Sequence, residues 1–197
     1  NALKSIAQWA KIIQGDTIDK VNKYAAHRST SVSLIQMSES KHSAMLYELA
    51  EDIALRYHDL KLIGIAGPSS SGKTTFARRL QIELQARGLS PVAISIDDYY
   101  LHPDDVPKNE DGSPDLEHIE SLDLVQFNHD LKSLIEGKEV TLPHFDFKTK
   151  SRKQGKTLQL NQNEVILIEG IHALNQRLTE TLTRDLKYFI YISPLTP

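Results

Sequence analysis

The sequence contains no cysteine, which removes disulfides, thiolate nucleophiles and cysteine-held zinc from consideration together. That absence fits a reducing compartment, and the cytoplasm is the expected location. No apolar run approaches the ~20 residues that a membrane-spanning helix needs. The N-terminus, which begins at Asn1, lacks the pattern of a secretory signal. Excess charge of one sign is lacking too, since a formal net charge of −3 argues against a dedicated nucleic-acid binder. Eight histidines are present, but none has metal-ligand spacing. Repeats and low-complexity tracts are absent. What remains is a globular composition in 197 residues, enough for one sizeable domain and an appendage.

Along the chain, 3–14 and 17–27 read as short helices, and "SVSLIQM" (31–37) as a strand. "KHSAMLYELAEDIALRYH" places Met45, Leu49, Ile53 and Tyr57 on one face of an amphipathic helix. None of this part carries a chemical constellation, so 1–58 is expected to be a small helical appendage. From residue 61 the pattern changes. "KLIGIA" is an apolar strand, followed by a glycine loop and a helix that runs to about Arg87, where Gly88 stops it. "PVAISI" (91–96), "EVILIE" (164–169) and "KYFIYI" (187–192) are further buried strands. Helices are expected over 122–135, with Ser121 as N-cap, and over "ALNQRLTETLTR". "EVTLP" and "TLQL" read as short strands flanking a basic loop. Strands alternating with helices predict an α/β fold, an open, mostly parallel sheet flanked by helices.

Gly67, Pro68, Ser69, Ser70, Ser71, Gly72, Lys73 and Thr74 satisfy G-x-x-x-x-G-K-[ST] at every fixed position, and Thr75 follows. Glycines let the backbone curl until successive N–H groups point inward at phosphate oxygens. The helix that starts there adds its positive end. Lys73 reaches β- and γ-phosphates as a point charge, and the Thr74 hydroxyl is a ligand for Mg²⁺. The strand before and the helix after are the context that the motif requires, so a nucleotide, with ATP and Mg²⁺ as cofactors, is expected at 67–75.

Ligands of open α/β sheets bind beyond the carboxyl ends of the strands. Asp97 and Glu169 end two of the predicted strands there. Glu169 suits Mg²⁺ held through water, and Asp97 suits removal of a proton from an attacking hydroxyl. No D-x-x-G or N-K-x-D segment of a GTP switch is present, nor an L-S-G-G-Q-like transporter signature. A kinase is expected instead, its catalysis resting on positioning and charge by Asp97 and Lys73.

"ISIDDYY" is similar to the S-x-D-x-[FY]-Y segment of uridine kinases, "LPHFDFKTKSRK" to their P-x-Y-D-[FY]-x-x-H-[ST]-R segment, and "VILIEGIHAL" to their E-G strand end. With the glycine loop, these segments follow the family's order over about 61–192. The region from Lys41 onward also resembles bacterial nucleoside kinases that carry an N-terminal piece related to threonyl-tRNA synthetase accessory domains. The resemblance implies ATP-dependent phosphorylation of a nucleoside 5′-hydroxyl, with Asp97 as general base and Tyr100 beside the sugar. "LEHIESLD" aligns with the family's F-D-H-P-x-x-[FL]-D and puts Glu117 where an acid holds ribose hydroxyls. Phe145 and Phe147 would line the base pocket. Lys150 or Arg152, in "KTKSRKQGK", would face substrate or phosphates, the alternative being a solvated basic loop.

Two positions depart from the family pattern. Phe145 stands where the family has Tyr and loses a hydroxyl. Lys150 stands where it has His and replaces a donor-acceptor with a pure donor. The base is therefore left open. The resemblance also implies an arginine-bearing lid after the last strand. The chain stops at "YISPLTP" before such an element, so these 197 residues are expected to bind nucleotide and to turn over poorly without it. A nucleoside is the expected partner, with no membrane or nucleic acid, and a homo-oligomer is left open. "IDDYY" and "EGIHAL" also resemble phosphoribulokinase segments, which makes a sugar-phosphate kinase the near rival. A nucleotide-sensing or RNA-associated module without turnover is the rival from another class.

Overall fold

The computed structural model describes residues 2–193. The chain divides into two compact units, one running to Glu48 and the other spanning Leu49–Ser193. In the first unit, α1 (Ala2–Ile12) and α2 (Ile18–Ala25) are joined by a short turn. The Thr17 side chain caps α2 by accepting from Lys20 N. The Tyr24 hydroxyl donates to the Ile13 carbonyl at 2.6 Å and ties the two helices together.

Helix α3 covers Arg28–Leu55 and overturns the strand expected at 31–37. A helix accommodates serines in and just after this stretch, because a serine hydroxyl can donate to a carbonyl one turn back. Ser31 bonds the His27 carbonyl at 3.0 Å and Ser38 that of Leu34 at 2.9 Å. The buried positions of α3 are Leu46, Ala50 and Ile53. Ile53 is buried as expected, Leu46 and Ala50 lie one residue off the expected Met45 and Leu49, and Tyr57 falls beyond the helix end.

In the second unit, β1 (Leu62–Ala66), β2 (Ser90–Ser95), β5 (Glu164–Glu169) and β6 (Lys187–Tyr191) form one parallel sheet in the order β2-β5-β1-β6. Both faces are covered, as an all-parallel sheet requires. Leu62, Ile166 and Ile168 join a cluster with Phe127, Leu131 and Leu134 of α5 (Leu124–Ile135). Ile63 and Ile65 alternate to the other face, where α4 (Lys73–Gln85) contributes Ala77, Leu80 and Leu84. The chain leaves β1, crosses over through α4 to β2, and later inserts β5 between them. That crossover opens a crevice at the carboxyl edge.

Three local expectations are corrected. Asp123, not Ser121, caps α5, its carboxylate accepting from Gln126 N at 3.0 Å. Ser121 is fully buried, and its hydroxyl donates to the Asp115 carbonyl. The helix expected over "ALNQRLTETLTR" is two short 3-10 segments, Gln176–Thr179 and Arg184–Leu186. Asn175 competes for the backbone by capping Arg177 N, and the threonines at 179, 181 and 183 favour helix weakly, while Leu178 and Leu182 still reach the core. The "basic loop" is largely strand: β3 (Val140–Asp146) and β4 (Ser151–Leu158) pair as an antiparallel hairpin, with Arg152, Lys153 and Lys156 on β4 itself.

Tyr99 anchors the 3-10 segment Ile96–Tyr99 that follows β2. It is buried, meets Phe127 edge-on at 4.8 Å between centroids, and donates its hydroxyl to the buried Asp130 carboxylate at 3.0 Å. Tyr99→Phe keeps the ring and removes a donor to a buried charge, at a cost of about 1.5–3 kcal/mol. Urea unfolding is expected to show a lower midpoint with an unchanged slope. An unchanged midpoint would mean that this bond does not hold the segment.

Candidate active site

Each of the four parallel strands delivers chain to the same edge. Beyond β1, residues 67–72 make the glycine loop and Lys73 opens α4. Gly67 is required by a neighbour as much as by a phosphate, because a Cβ there would collide with the Ile192 carbonyl at the end of β6. Gly72 adopts φ 86°, a left-handed conformation that turns the loop into the helix. Lys73 Nζ donates to the Pro68 carbonyl at 2.7 Å, folded back across the loop. Pro68, Ser69 and Ser70 are exposed along it, as are Thr74 and Thr75 at the start of α4.

Glu169 ends β5, opposite Ile65 of β1 in the parallel register. Its two carboxylate oxygens accept from the Thr74 hydroxyl at 3.0 and 3.1 Å. A hydroxyl and a carboxylate held this close are a hard-oxygen pair of the kind that suits Mg²⁺. Among the described residues no group of three or more His, Asp or Glu could hold a metal unaided. A cation at this pair would therefore need phosphate oxygens or water to complete its shell.

Asp97 follows β2 in the 3-10 segment. Its carboxyl is open to solvent at the mouth of the crevice. Partial burial, then the negative charges of Glu169 and Asp98, nevertheless raise its pKa above the usual aspartate value, while Lys73 and His172 pull it down. The sequence-predicted Asp97, Lys73, Thr74 and Glu169 are thus brought into one electrostatic neighbourhood.

Tyr100, Phe145 and Phe147 form an aromatic cluster beside it. Tyr100 meets Phe145 at 5.8 Å and Phe147 at 6.0 Å, and the two phenylalanines meet at 4.9 Å, all near edge-on. Phe145 is 5% exposed and Phe147 56%, so the inner ring is packing and the outer ring is free to meet a ligand. The Tyr100 hydroxyl donates to the Leu116 carbonyl at 3.0 Å. Burial, then the charges of Asp97 and Glu117, push its pKa up to about 12, so it remains a phenol. Glu117 is exposed, its N–H held by the Asp115 carboxylate at 3.0 Å.

Lys150 and Arg152 sit differently. Lys150 occupies the turn between β3 and β4 with φ 52°, exposed. Arg152 donates to the Asp123 carboxylate at 2.9 Å and ties β4 to the cap of α5.

Two residues that sequence reasoning did not single out stand in the site. Asp98 Oδ1 lies 2.9 Å from His144 Nδ1 and accepts from Phe145 N at 3.2 Å, so it fastens β3 to the segment that carries Asp97. The Asp97-Asp98 doublet was the signal, and only its first member was read. His172, three residues beyond Glu169, lies where its ring feels Asp97 and Asp115. A polar residue in the turn after a buried strand was the available clue.

The model of the phosphoribulokinase / uridine kinase family matches residues 62–194, from the start of β1 to beyond the end of β6. The chain belongs to the phosphoribulokinase / uridine kinase family. It is 33% identical over 129 residues to a uridine kinase of Ureaplasma urealyticum, covering 66% of this chain and 61% of that protein. It is 36% identical over 121 residues to the inorganic pyrophosphatase TTM2 of Arabidopsis thaliana, covering 61% of this chain but 16% of that protein. The chain thus spans less than two thirds of the length of either relative. A solved structure of a possible uridine kinase from Bacillus stearothermophilus superposes with a TM-score of 0.54 at 25% identity, covering 67% of this chain and 70% of that one.

The crowding of Asp97 has a consequence for stability. Its pKa is raised in the folded state, so its contribution to stability is complete below the unfolded value and is lost as pH rises through the folded value. Asp97→Asn is therefore expected to raise Tm at pH 7. The gain is small, on the order of 1–2 °C, because the carboxyl is open to solvent and 1 kcal/mol corresponds to roughly 2–4 °C in a domain of this size. The gain disappears when thermal unfolding is measured at about pH 3.5, where an unfolded aspartate protonates. A lower Tm at pH 7 would show that Asp97 stabilises the fold.

Proposed function

We propose that the chain carries the core of an ATP-dependent nucleoside kinase that phosphorylates the 5′-hydroxyl of a uridine- or cytidine-like substrate. The observation that carries the reading is the shared edge: the glycine loop, the Thr74–Glu169 pair and Asp97 meet beside the Tyr100–Phe147 cluster. In this reading Gly67–Thr75 hold the phosphates of ATP. Thr74 and Glu169 would hold Mg²⁺, which would supply positive charge against the phosphates. Asp97 accepts the proton as the hydroxyl oxygen attacks the γ-phosphorus. The bond from that phosphorus to the bridging oxygen breaks, and ADP leaves with its electron pair. Lys73, released from the Pro68 carbonyl, meets the charge on the transferring group. Tyr100 and Glu117 border the sugar and Phe147 offers a face to the base. Lys150 and Arg152 enter only through movement of the hairpin, since Arg152 is engaged by Asp123.

The reading extends to the rest of the chain. Residues 1–58 would be the end of an accessory domain like that of threonyl-tRNA synthetases, and 59–197 the kinase core. The cytoplasm is the proposed location, in keeping with the lack of cysteine. Among the described residues no helix is long and apolar enough to cross a membrane.

The identity to TTM2 supports a second reading, in which water replaces the hydroxyl and a phosphoanhydride is hydrolysed at the same loop. Full-length protein with MgATP and a panel of nucleosides, ribulose 5-phosphate or pyrophosphate separates the readings by following ADP and phosphate. ADP formed only with a nucleoside is the expected result. ADP formed only with the sugar phosphate, or phosphate released without any acceptor, would overturn it. Asp97→Asn is expected to lower kcat by about 10²–10⁴-fold and to leave ATP affinity within about twofold by calorimetry. Retained turnover would remove Asp97 as base.

A further inference from the structure

Two buried side-chain atoms among the described residues have no hydrogen-bond partner, Ser71 Oγ and His172 Nε2. Folded proteins leave few such atoms, and each calls for an explanation. Ser71 lies in the glycine loop, where the phosphates of a nucleotide account for it. Nothing in the nucleotide-binding half accounts for His172.

His172 stands in the turn that follows β5. The main chain fixes it there: Gly170 N bonds the Ile65 carbonyl at 3.2 Å, Ala173 N that of Gly170 at 3.3 Å, and Asn175 N that of His172 at 2.8 Å. The Glu117 main chain lies near enough to favour a proton on the ring. Nε2 is buried and has no hydrogen-bond partner. Burial lowers the pKa of the ring, which favours the neutral imidazole, one of whose nitrogens is an acceptor. The charged groups facing it are the Asp97 and Asp115 carboxylates, with His118 near. Ionised carboxylates only accept. No described residue donates to Nε2, so the atom is available to a donor on a ligand.

The position selects which ligand. His172 lies near both Asp97, the proposed base, and the loop of Asp115 and Glu117, where the proposed function puts the acceptor sugar. We propose that His172 Nε2 receives a hydrogen bond from a sugar hydroxyl of the phosphoryl acceptor and so helps decide which hydroxyl-bearing acceptors the site takes. The proposal rests on the reading of this edge as a kinase site. It concerns the acceptor half alone, and His172 binds substrate rather than transferring a proton.

The test compares His172→Leu and His172→Gln in the full-length protein. In His172→Leu, KM for the acceptor is expected to rise about tenfold or more, since the site then loses a polar group built to meet a hydroxyl. KM for ATP stays within about twofold, and His172→Gln, which keeps an acceptor oxygen at similar reach, recovers most of the loss. One of the 2′-deoxy and 3′-deoxy nucleosides, the one lacking the bonded hydroxyl, is used equally well by wild type and by His172→Leu. An unchanged acceptor KM in His172→Leu, or equal changes in both KM values with a lowered Tm, overturns the proposal and leaves the nucleoside reading standing. If the wild-type protein phosphorylates no nucleoside, that reading fails by itself. The ¹⁵N resonance of His172 Nε2, titrated with uridine and with ribulose 5-phosphate, then decides. A shift on saturation with either supports the proposal, and no shift with both overturns it.

Discussion

The parallel register between β1 and β5 is the constraint on which the site depends. Ile65 opposite Glu169 brings the end of one strand, where the glycine loop begins, level with the end of another, where the acid stands. The Thr74–Glu169 hydrogen bonds at 3.0 and 3.1 Å follow from that alignment. A slip of one residue would turn Glu169 to the other face of the sheet and leave Thr74 without a partner. β2 pairs with β5 in the same sense, Ser95 opposite Glu169, and so places Asp97 within the field of that carboxylate. Burial of β1 and β5 on both faces makes the slip costly, so the apolar core also holds the chemistry in place.

The site gathers negative charge to await a phosphate that brings more. Burial, then the charges of Glu169 and Asp98, raise the proton affinity of Asp97, and Lys73 and His172 relieve part of it. A bound cation would relieve the rest, which ties the acidity of Asp97 to the loading of the phosphate half. Sites that store repulsion in this way trade stability for function. The surrounding structure offsets that cost with rigid supports: Tyr99 on Asp130, Asp98 on the main chain of β3, and Asp115 on Glu117 and His118.

The glycine loop was legible in the sequence because its pattern is local. A loop of fixed spacing between an apolar strand and a helix needs no distant partner to be recognised, and the two strand-end acids follow from the topology. The acceptor half was less legible, because it is assembled from segments far apart in the chain. Phe145 turned out to be buried and Phe147 exposed, a difference that only the hairpin pairing determines. Asp98 and His172 escaped notice because the groups they meet, Phe145 N for the one and the Asp97 and Asp115 charges for the other, lie on other elements. The strand misread at 31–37 has a similar origin: serines that satisfy themselves on helix carbonyls mimic a period of two.

The central claim is that this edge passes a phosphoryl group to a hydroxyl and keeps water out of the transfer. Single-turnover reaction of the full-length protein with MgATP and uridine in H₂¹⁸O tests it most directly, with ³¹P NMR and mass spectrometry of the products. The account predicts a phosphomonoester of the nucleoside with no solvent ¹⁸O in its phosphoryl group. Inorganic phosphate carrying solvent ¹⁸O as the main product, with the nucleoside unchanged, would contradict it.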